Sequence, residues 1–141
     1  MCLALYREDP SPAPVPASQV HRTLAMLRAE PARGRVLVLD HGGRAIGYAI
    51  LISYWSNEQD GELCSVDELF VAEPFRNHGL GTRLLDDLAA GSALWPGDAV
   101  GVSLEVTPAN RRARAFYERL GFAARNTTMA RKTIAKGASA P

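Results

Sequence analysis

A glycine-punctuated stretch, residues 76–82, directly follows an apolar run that ends at Val71. Gly79 and Gly81 lack side chains, so the backbone can approach a ligand there, and Asn77 tolerates left-handed backbone angles. Because the stretch opens an amphipathic segment, its free N–H groups lie at a helix N-terminus, where the macrodipole favours an anion. The sequence therefore predicts a site for a phosphorylated ligand; the alternative is an ordinary strand-to-helix turn without one.

The composition is that of one globular domain. The chain has 141 residues, 47% hydrophobic and 22% charged, and its 16 Lys and Arg nearly balance 15 Asp and Glu. That balance predicts no nucleic-acid or membrane partner. Cys2 and Cys64 form no CxxC pair, which predicts neither a metal site nor a disulfide scaffold. With no signal peptide or spanning segment recognisable, we expect a cytoplasmic protein.

Hydrophobic periodicity and turn residues predict the elements that carry this site. Strands are expected at 3–6, 35–39, 45–53, 62–71 and 99–106, with closing strands after Phe122 through residue 134, and helices at 17–30, 79–90 and 107–120. Thr107 is the predicted cap of the last helix, and Pro108 its first-turn proline. A mixed α/β sheet flanked by helices accommodates this order.

A second motif lies at the start of that last helix. Residues 110–122 read N-x-x-A-x-x-F-Y-x-x-x-G-F and follow R-x-x-G-x-G at residues 76–81. Together, in this order and one strand apart, the two motifs resemble the GNAT superfamily of acyl-CoA-dependent N-acetyltransferases. The resemblance runs from about residue 35 to 122, and as far as 132 at most.

The resemblance implies an α/β (α+β) fold with a mixed, mostly antiparallel sheet of six to seven strands, flanked by three to four helices and splayed at a cofactor cleft. Residues 1–141 would form one acetyltransferase domain. Residues 1–34 would be a short, Pro-rich acceptor-side region, 35–134 the cofactor-binding core and 135–141 a tail.

The resemblance also implies acetyl-CoA as co-substrate, with no metal. A strand end would pair with the pantetheine arm, the glycine loop would wrap the diphosphate, and a helix-start asparagine would contact the arm. These residues are Leu69, Phe70, Val71, Arg76, Asn77, His78, Gly79, Leu80, Gly81, Thr82 and Asn110. Asn77 and Leu80 depart from the commonest family pattern, but neither blocks a nest of backbone N–H groups.

Tyr117 matches the family tyrosine that protonates the departing thiolate. A phenol with a pKa of about 10 stays protonated at neutral pH and can supply that proton. The alternative is a core tyrosine. A protonated amine acceptor needs a base or a water relay; Glu68 is the chosen candidate and Asp67 the other, since strand alternation sends them to opposite faces unless a bulge intervenes.

The predicted function is transfer of an acetyl group to a primary amine of a small molecule or protein by direct attack in a ternary complex. The alternative is a non-catalytic acyl-CoA-binding regulatory module. Five acids and no Lys or Arg at residues 58–68 either attract a cationic acceptor or form a solvated hairpin. The short region before Arg35 leaves the acceptor cleft either open or completed by a second subunit of a homodimer.

Overall fold

A computed structural model describes residues 1–11 and 13–124 of the chain. Short 3-10 turns precede the first strand and follow the third, at Pro31–Arg33 and Glu73–Phe75. The α-helices and strands of the described residues are α1 (Cys2–Glu8), α2 (Ala17–Ala29), β1 (Gly34–His41), β2 (Arg44–Ser56), β3 (Gly61–Val71), α3 (Leu80–Ala89), β4 (Gly101–Leu104) and α4 (Arg111–Arg119).

The strands form one sheet in the order β1-β2-β3-β4. β1–β2 and β2–β3 are antiparallel, whereas β4 runs parallel to β3. The prediction of a mixed, mostly antiparallel sheet is thus confirmed. The predicted six to seven strands are wrong for the described residues, which hold four strands. One predicted strand is a helix, and the closing strands expected beyond residue 124 lie outside the described residues.

The most local sequence signals predict their elements correctly. Gly42 and Gly43 have φ of 62° and 79°, and this left-handed pair turns the chain between β1 and β2. α3 buries Leu84, Leu85 and Leu88 at helical spacing. α2 matches the predicted helix within one residue. Among the described residues, no helix is long and apolar enough to cross a membrane.

The first predicted strand, residues 3–6, is wrong because this segment lies in α1. A short apolar run does not by itself distinguish a strand from a helix. Here Cys2, Ala4 and Leu5 of α1 pack against the sheet beside α2. The run therefore covers one face of the sheet instead of extending an edge.

The start of α4 also differs from the prediction. The helix begins at Arg111, after Asn110, whose Oδ1 accepts a hydrogen bond from the Ala113 N–H at 3.0 Å. Asn110 is therefore the N-cap that Thr107 was expected to be. The Thr107 hydroxyl donates instead to Oδ1 of Asp9 at 3.2 Å, so this loop bonds to the N-terminal region rather than to its own helix.

Two hydrophobic clusters lie on opposite faces of the sheet. On one face, Ala49, Leu51, Cys64 and Val66 pack under α3 and α4. On the other, Tyr48, Ile50 and Phe70 pack under α1 and α2 with Leu27. β2 therefore alternates regularly, with odd residues facing α3 and even residues facing α2.

β3 does not alternate regularly, because it contains a β-bulge. Ile50 pairs with Glu68 and the next residue, Leu51, pairs with Val66, so Asp67 is the extra residue. Cys64 and Val66 precede the bulge and face α3, but Phe70 follows it and faces α1 and α2. The bulge thus reverses which face the even-numbered side chains take, and it turns Glu68 toward α1 and α2.

Candidate active site

The sheet opens between β3 and β4. The parallel pairing runs from Leu63–Gly101 to Val66–Leu104 and stops there. β3 continues to Val71, and in the described part of the chain residues 67–71 have a strand partner only on the β2 side. The opening begins at the Asp67 bulge, and it leaves one edge of β3 accessible for backbone hydrogen bonds with an extended ligand.

The loop beyond this edge presents backbone donors. Asn77 and Gly79 have φ of 63° and 77°, and Gly79 is the N-cap of α3. No side chain caps this helix, and its first turn holds no acidic residue. Outside helices and strands, the described backbone hydrogen bonds do not engage the N–H groups of residues 77–79. Together with the first amides of α3, these N–H groups are donors of the kind that can bind an anion.

Gly79 and Gly81 of the loop are required for different structural reasons. A Cβ on Gly79 would meet open space, but the residue's left-handed φ of 77° strains any L side chain. A Cβ on Gly81 would lie 3.2 Å from the ring of Phe116 on α4. Gly81 therefore allows close packing of α3 against α4. This reason differs from the ligand approach that the sequence suggested for both glycines.

Arg76 is anchored on the α1 side of the sheet. Its Nε donates to the Val71 carbonyl at 2.7 Å, and its terminal nitrogen pairs with Oε1 of Glu8 at 2.8 Å. The guanidinium lies 5.5 Å from the centre of the Phe70 ring. Arg76 thus fixes the end of β3, and its charge meets a carboxylate of α1.

Glu68 accepts hydrogen bonds from two phenols. The Tyr48 hydroxyl of β2 donates to Oε2 at 2.6 Å, and the Tyr6 hydroxyl of α1 donates to Oε1. Burial raises the pKa of both tyrosines, and bonding to the Glu68 carboxylate raises each pKa further. Both phenols therefore remain protonated donors at neutral pH.

Glu68 also lines a small pocket between α1, α2 and the sheet. The pocket has a volume of about 30 Å³, which is enough to hold a small polar group. Its other lining residues are Tyr6, Val15, Gln19, Val20, Thr23 and Ile50. The Glu68 carboxylate in its lining can accept a hydrogen bond or a proton from a small polar group in the pocket, such as an amine nitrogen.

Asp67, the alternative base, lies in the bulge and is exposed. Desolvation at the strand edge raises the pKa of its carboxyl, and the charges of Glu68 and Glu105 raise that pKa further. Asp67 and Glu68 are therefore adjacent carboxylates in different surroundings. One is bonded by two phenols, and the other borders the opening.

Tyr117 and Asn110 lie across the opening on α4. The Tyr117 ring is half-buried, 5.3 Å from the Phe116 ring and 5.9 Å from the Phe122 ring, centre to centre. Burial raises the pKa of Tyr117, and the Asp9 carboxylate raises it further. Among the described residues, its hydroxyl has no hydrogen-bond partner. Asn110, besides capping α4, donates from Nδ2 to Asp9 at 2.8 Å.

The remaining predicted site residues line the same opening. Leu69 packs toward α3, while Phe70 is buried against Tyr48 on the opposite face. His78 is exposed in the loop, and the half-buried Leu80 and Thr82 lie in the first turn of α3. The predicted residues thus gather around the unpaired edge of β3, with α3 and α4 on one face and α1 on the other.

The run of acids at residues 58–68 does not form one patch. At about 3.3 Å per residue, Glu62 and Glu68 lie roughly 20 Å apart along β3. Glu62 accepts from Ser53 at 2.9 Å and from the Trp95 indole at 2.9 Å, so it is part of the packing beneath β4. Tyr54 and Trp55, beside it, are exposed at the end of the sheet far from the opening.

Sequence reasoning missed three residues of this site: Tyr6, Asp9 and Tyr48. Tyr6 and Asp9 fall in or after the segment that was interpreted as a strand, and their contacts span 62 and 101 residues of chain. Tyr48 does have a signal in the sequence, because it shares the even-numbered face of β2 with Ile50. That pattern predicts burial, but it does not predict which carboxylate the phenol meets.

The donors present suit an anionic organic ligand. Among the described residues, no group of three or more His, Cys, Asp or Glu could hold a metal ion. The open edge of β3 offers backbone hydrogen bonds to an amide-containing arm, and the N–H groups of residues 77–82 suit a diphosphate. Coenzyme A combines these two chemical groups, so the residues fit it.

Much of this chain is similar in sequence to known proteins. An uncharacterized N-acetyltransferase of Mycobacterium tuberculosis is 33% identical over 90 residues, which cover 64% of this chain and 53% of the relative. The chain thus matches about half the length of that protein. The uncharacterized N-acetyltransferase YhfO of Bacillus subtilis is 30% identical over 108 residues, 75% of this chain and 71% of YhfO.

Solved structures share the fold. A possible acetyltransferase from Clostridium difficile 630 superposes with a TM-score of 0.76 at 18% identity, over 94% of this chain and 86% of that one. The sequence profile of the acetyltransferase (GNAT) family matches residues 2–122, which include both motifs and α1. The chain therefore belongs to the GNAT family of acetyltransferases.

Proposed function

We propose that this protein transfers an acetyl group from acetyl-CoA to a primary amine of a small molecule or a protein, directly within a ternary complex. The observation that carries the proposal is the β3 edge at residues 67–71, which has no partner strand on the β4 side among the described residues. This edge leads to the start of α3, which no side chain caps, and Tyr117 of α4 packs against the same hydrophobic cluster as Leu69 of the edge. Membership of the GNAT family supports the same activity.

The proposed cofactor grip is mostly made by the main chain. The β3 edge at Leu69, Phe70 and Val71 would pair with the pantetheine arm, and the side chain of Asn110 would contact it. The diphosphate would lie against the N–H groups of residues 77–82, where the positive end of the α3 dipole adds to the attraction. Arg76 would contribute positive charge beside that loop.

Two side chains would move protons. When bound, acetyl-CoA supplies a thioester whose carbonyl a neutral amine attacks, with the thiolate of coenzyme A as leaving group. Tyr117 would protonate the sulfur, and two observations support its being a protonated donor at neutral pH: its pKa is raised, and its hydroxyl has no hydrogen-bond partner among residues 1–11 and 13–124. Glu68 would take the proton of the acceptor amine, because its carboxylate lines a small pocket beside α1 and α2.

Asp67 and a water relay are the competing routes for that proton. Asp67 borders the opening and has a raised pKa, which suits a base better than an ordinary surface carboxyl. Glu68 is preferred because the bulge turns it toward α1 and α2, on the acceptor side of the sheet. The proposed location is the cytoplasm, and the free Cys2 and Cys64 agree with a reducing compartment.

The alternative function is a non-catalytic acyl-CoA-binding regulatory module, which needs the loop but neither Tyr117 nor Glu68. One pair of measurements separates the two functions. Calorimetry with coenzyme A tests binding, and release of free thiol from acetyl-CoA in the presence of a panel of amines tests transfer. We expect binding together with amine-dependent thiol release. Binding without release for any amine would favour the module, and no binding would overturn both.

A further inference from the structure

The last turn of α1 spans the opening between β3 and α4. We call residues 6–9 the α1 strap. On the β3 side, Tyr6 donates to Glu68 and Glu8 pairs with Arg76 at 2.8 Å. These contacts attach the strap to the strand edge and to the start of the loop that follows it.

On the α4 side, the strap ends in a carboxylate held by two donors. Oδ1 of Asp9 accepts from the Thr107 hydroxyl at 3.2 Å, and Oδ2 accepts from Nδ2 of Asn110 at 2.8 Å. The Asp9 charge also acts on Tyr117. One short segment therefore forms hydrogen bonds or an ion pair with four residues around the opening, and two of them, Arg76 and Asn110, are proposed to hold coenzyme A.

The chemistry of these contacts resembles that of the proposed ligand. Arg76 is paired with a carboxylate beside the loop that is proposed to bind the diphosphate. The Asn110 amide donates to a carboxylate oxygen, whereas in the proposed complex it would contact the pantetheine arm. Each strap carboxylate thus satisfies a donor that coenzyme A would need. Glu8 and Asp9 also place negative charge beside these donors, which opposes the binding of an anionic ligand there, so the strap and the ligand compete.

The attachment of the strap is weak enough to be displaced. α1 has seven residues and none of them is buried. The side chain of Glu8 is 49% exposed, and an ion pair of this exposure adds little to stability. Pro10, Pro14 and Pro16 follow, and proline interrupts regular backbone hydrogen bonding, so the strap can move without unfolding α2.

We propose that the α1 strap is an internal competitor of coenzyme A, which closes the cofactor opening through Glu8 and Asp9 and is displaced when coenzyme A binds. This inference rests on the proposed function. It adds a regulatory step to that function, because any ligand or partner that draws α1 away raises the affinity for the cofactor. If the strap is closed nine-tenths of the time, the apparent dissociation constant is about tenfold weaker than the intrinsic one.

The test is calorimetric titration with coenzyme A of the wild-type chain and the variants Asp9→Ala and Glu8→Gln. We expect Asp9→Ala to lower the dissociation constant about tenfold and Glu8→Gln to lower it about threefold. Glu30→Gln is the matched control, since Glu30 forms an exposed ion pair with Arg33 away from the opening. Its dissociation constant should equal that of the wild type.

Amide hydrogen exchange provides a second readout. Adding coenzyme A to the wild type should speed exchange in residues 4–9 while it slows exchange in residues 77–82. Variants that bind coenzyme A no more tightly than the wild type, or α1 amides that become slower with ligand, would overturn the strap and make α1 a fixed wall of the site. If neither the wild type nor any variant binds coenzyme A, the proposed function fails and the strap fails with it.

Discussion

The two halves of β3 contain similar residues in different settings. From Leu63 to Val66 the strand is paired on both sides, and the Glu62 carbonyl just before accepts a hydrogen bond from the Val100 N–H at 2.8 Å. In the described part of the chain, the segment from Asp67 to Val71 is paired with β2 only. Each half carries a glutamate bonded by two uncharged donors. Glu62 meets Ser53 and Trp95, and Glu68 meets Tyr6 and Tyr48.

What separates the two glutamates is the bulge between them. Before Asp67 the neighbouring strand β4 closes the edge, so a carboxylate there can only support packing. After Asp67 the edge is open and the side chains have changed faces, so a carboxylate there borders a pocket and a cleft. An extra residue in one strand therefore divides β3 into a closed half, Gly61–Val66, which supports packing, and an open half, Asp67–Val71, which is the candidate catalytic half.

The largest expected effect comes from exchanging the two glutamates for glutamine. Glu68→Gln should lower kcat for amine acetylation about a thousandfold, because an amide cannot take the proton of the acceptor. Glu62→Gln should leave kcat within about twofold and lower the free energy of unfolding by about 1 kcal/mol, through weaker hydrogen bonds with Trp95 and Ser53. Steady-state kinetics and urea denaturation measure both variants.

Equal losses of kcat in the two variants would remove the distinction between the halves. If Glu68→Gln keeps its activity and Asp67→Asn loses it, the base is the bulge residue. Coenzyme A affinity, measured in parallel, should be unchanged in Glu62→Gln and serves as a check that the fold is intact.

The next effect concerns Tyr117, which faces the open half from α4. Tyr117→Phe should lower kcat about a hundredfold with little change in KM for acetyl-CoA, because the phenol acts only as the thiolate leaves. Tyr54→Phe is the matched control, since that exposed phenol lies at the closed end of the sheet. An unchanged kcat in Tyr117→Phe would exclude its hydroxyl from the reaction.

Elements set by local signals were more predictable from the sequence than the contacts around the open half of β3. The hairpin and α3 follow from signals within a few residues of each other, such as Gly42–Gly43 and the leucines of α3. The glycine loop at residues 76–82 is equally local, so its proposed role in anion binding follows from the order of its residues alone.

The open half depends on contacts between distant segments. The bulge at Asp67 arises from the pairing of two strands, and no pattern within β3 reveals it. Tyr6 meets Glu68 across 62 residues, and its helix was mistaken for a strand because a four-residue apolar run fits either. Motifs therefore indicated which residues are candidates for cofactor binding, whereas the groups around Glu68 required the tertiary structure.

Two glycines allow the stability of the two ends of β3 to be compared. A Cβ on Gly47, opposite Val71, would lie 2.5 Å from the Phe70 carbonyl oxygen, and the sheet backbone cannot yield easily. A Cβ on Gly61 would lie 2.4 Å from the Val100 side chain, which is 54% exposed and free to move.

Gly47→Ala should therefore lower the free energy of unfolding by about 2 kcal/mol, and Gly61→Ala by less than about 1 kcal/mol. Urea denaturation at fixed pH measures the difference. A larger loss in Gly61→Ala would mean that Val100 is held more firmly than its exposure suggests.

The smallest expected effect concerns the reactivity of the Cys64 thiol, which tests how tightly β4 and α3 pack over the closed half of β3, Gly61–Val66. Cys64 is 1% exposed, and burial raises its pKa to about 11. At pH 8 only about one thiol in a thousand is then ionised, and the thiolate is the reactive form. In the native protein a disulfide reagent should modify the half-buried Cys2 first, and Cys64 should react only after denaturation.

The variant Cys2→Ser leaves Cys64 as the only thiol. Rapid modification of Cys64 in this variant at pH 8 would show that β4 and α3 open readily over β3. Such opening would contradict the assignment of Gly61–Val66 as the closed half.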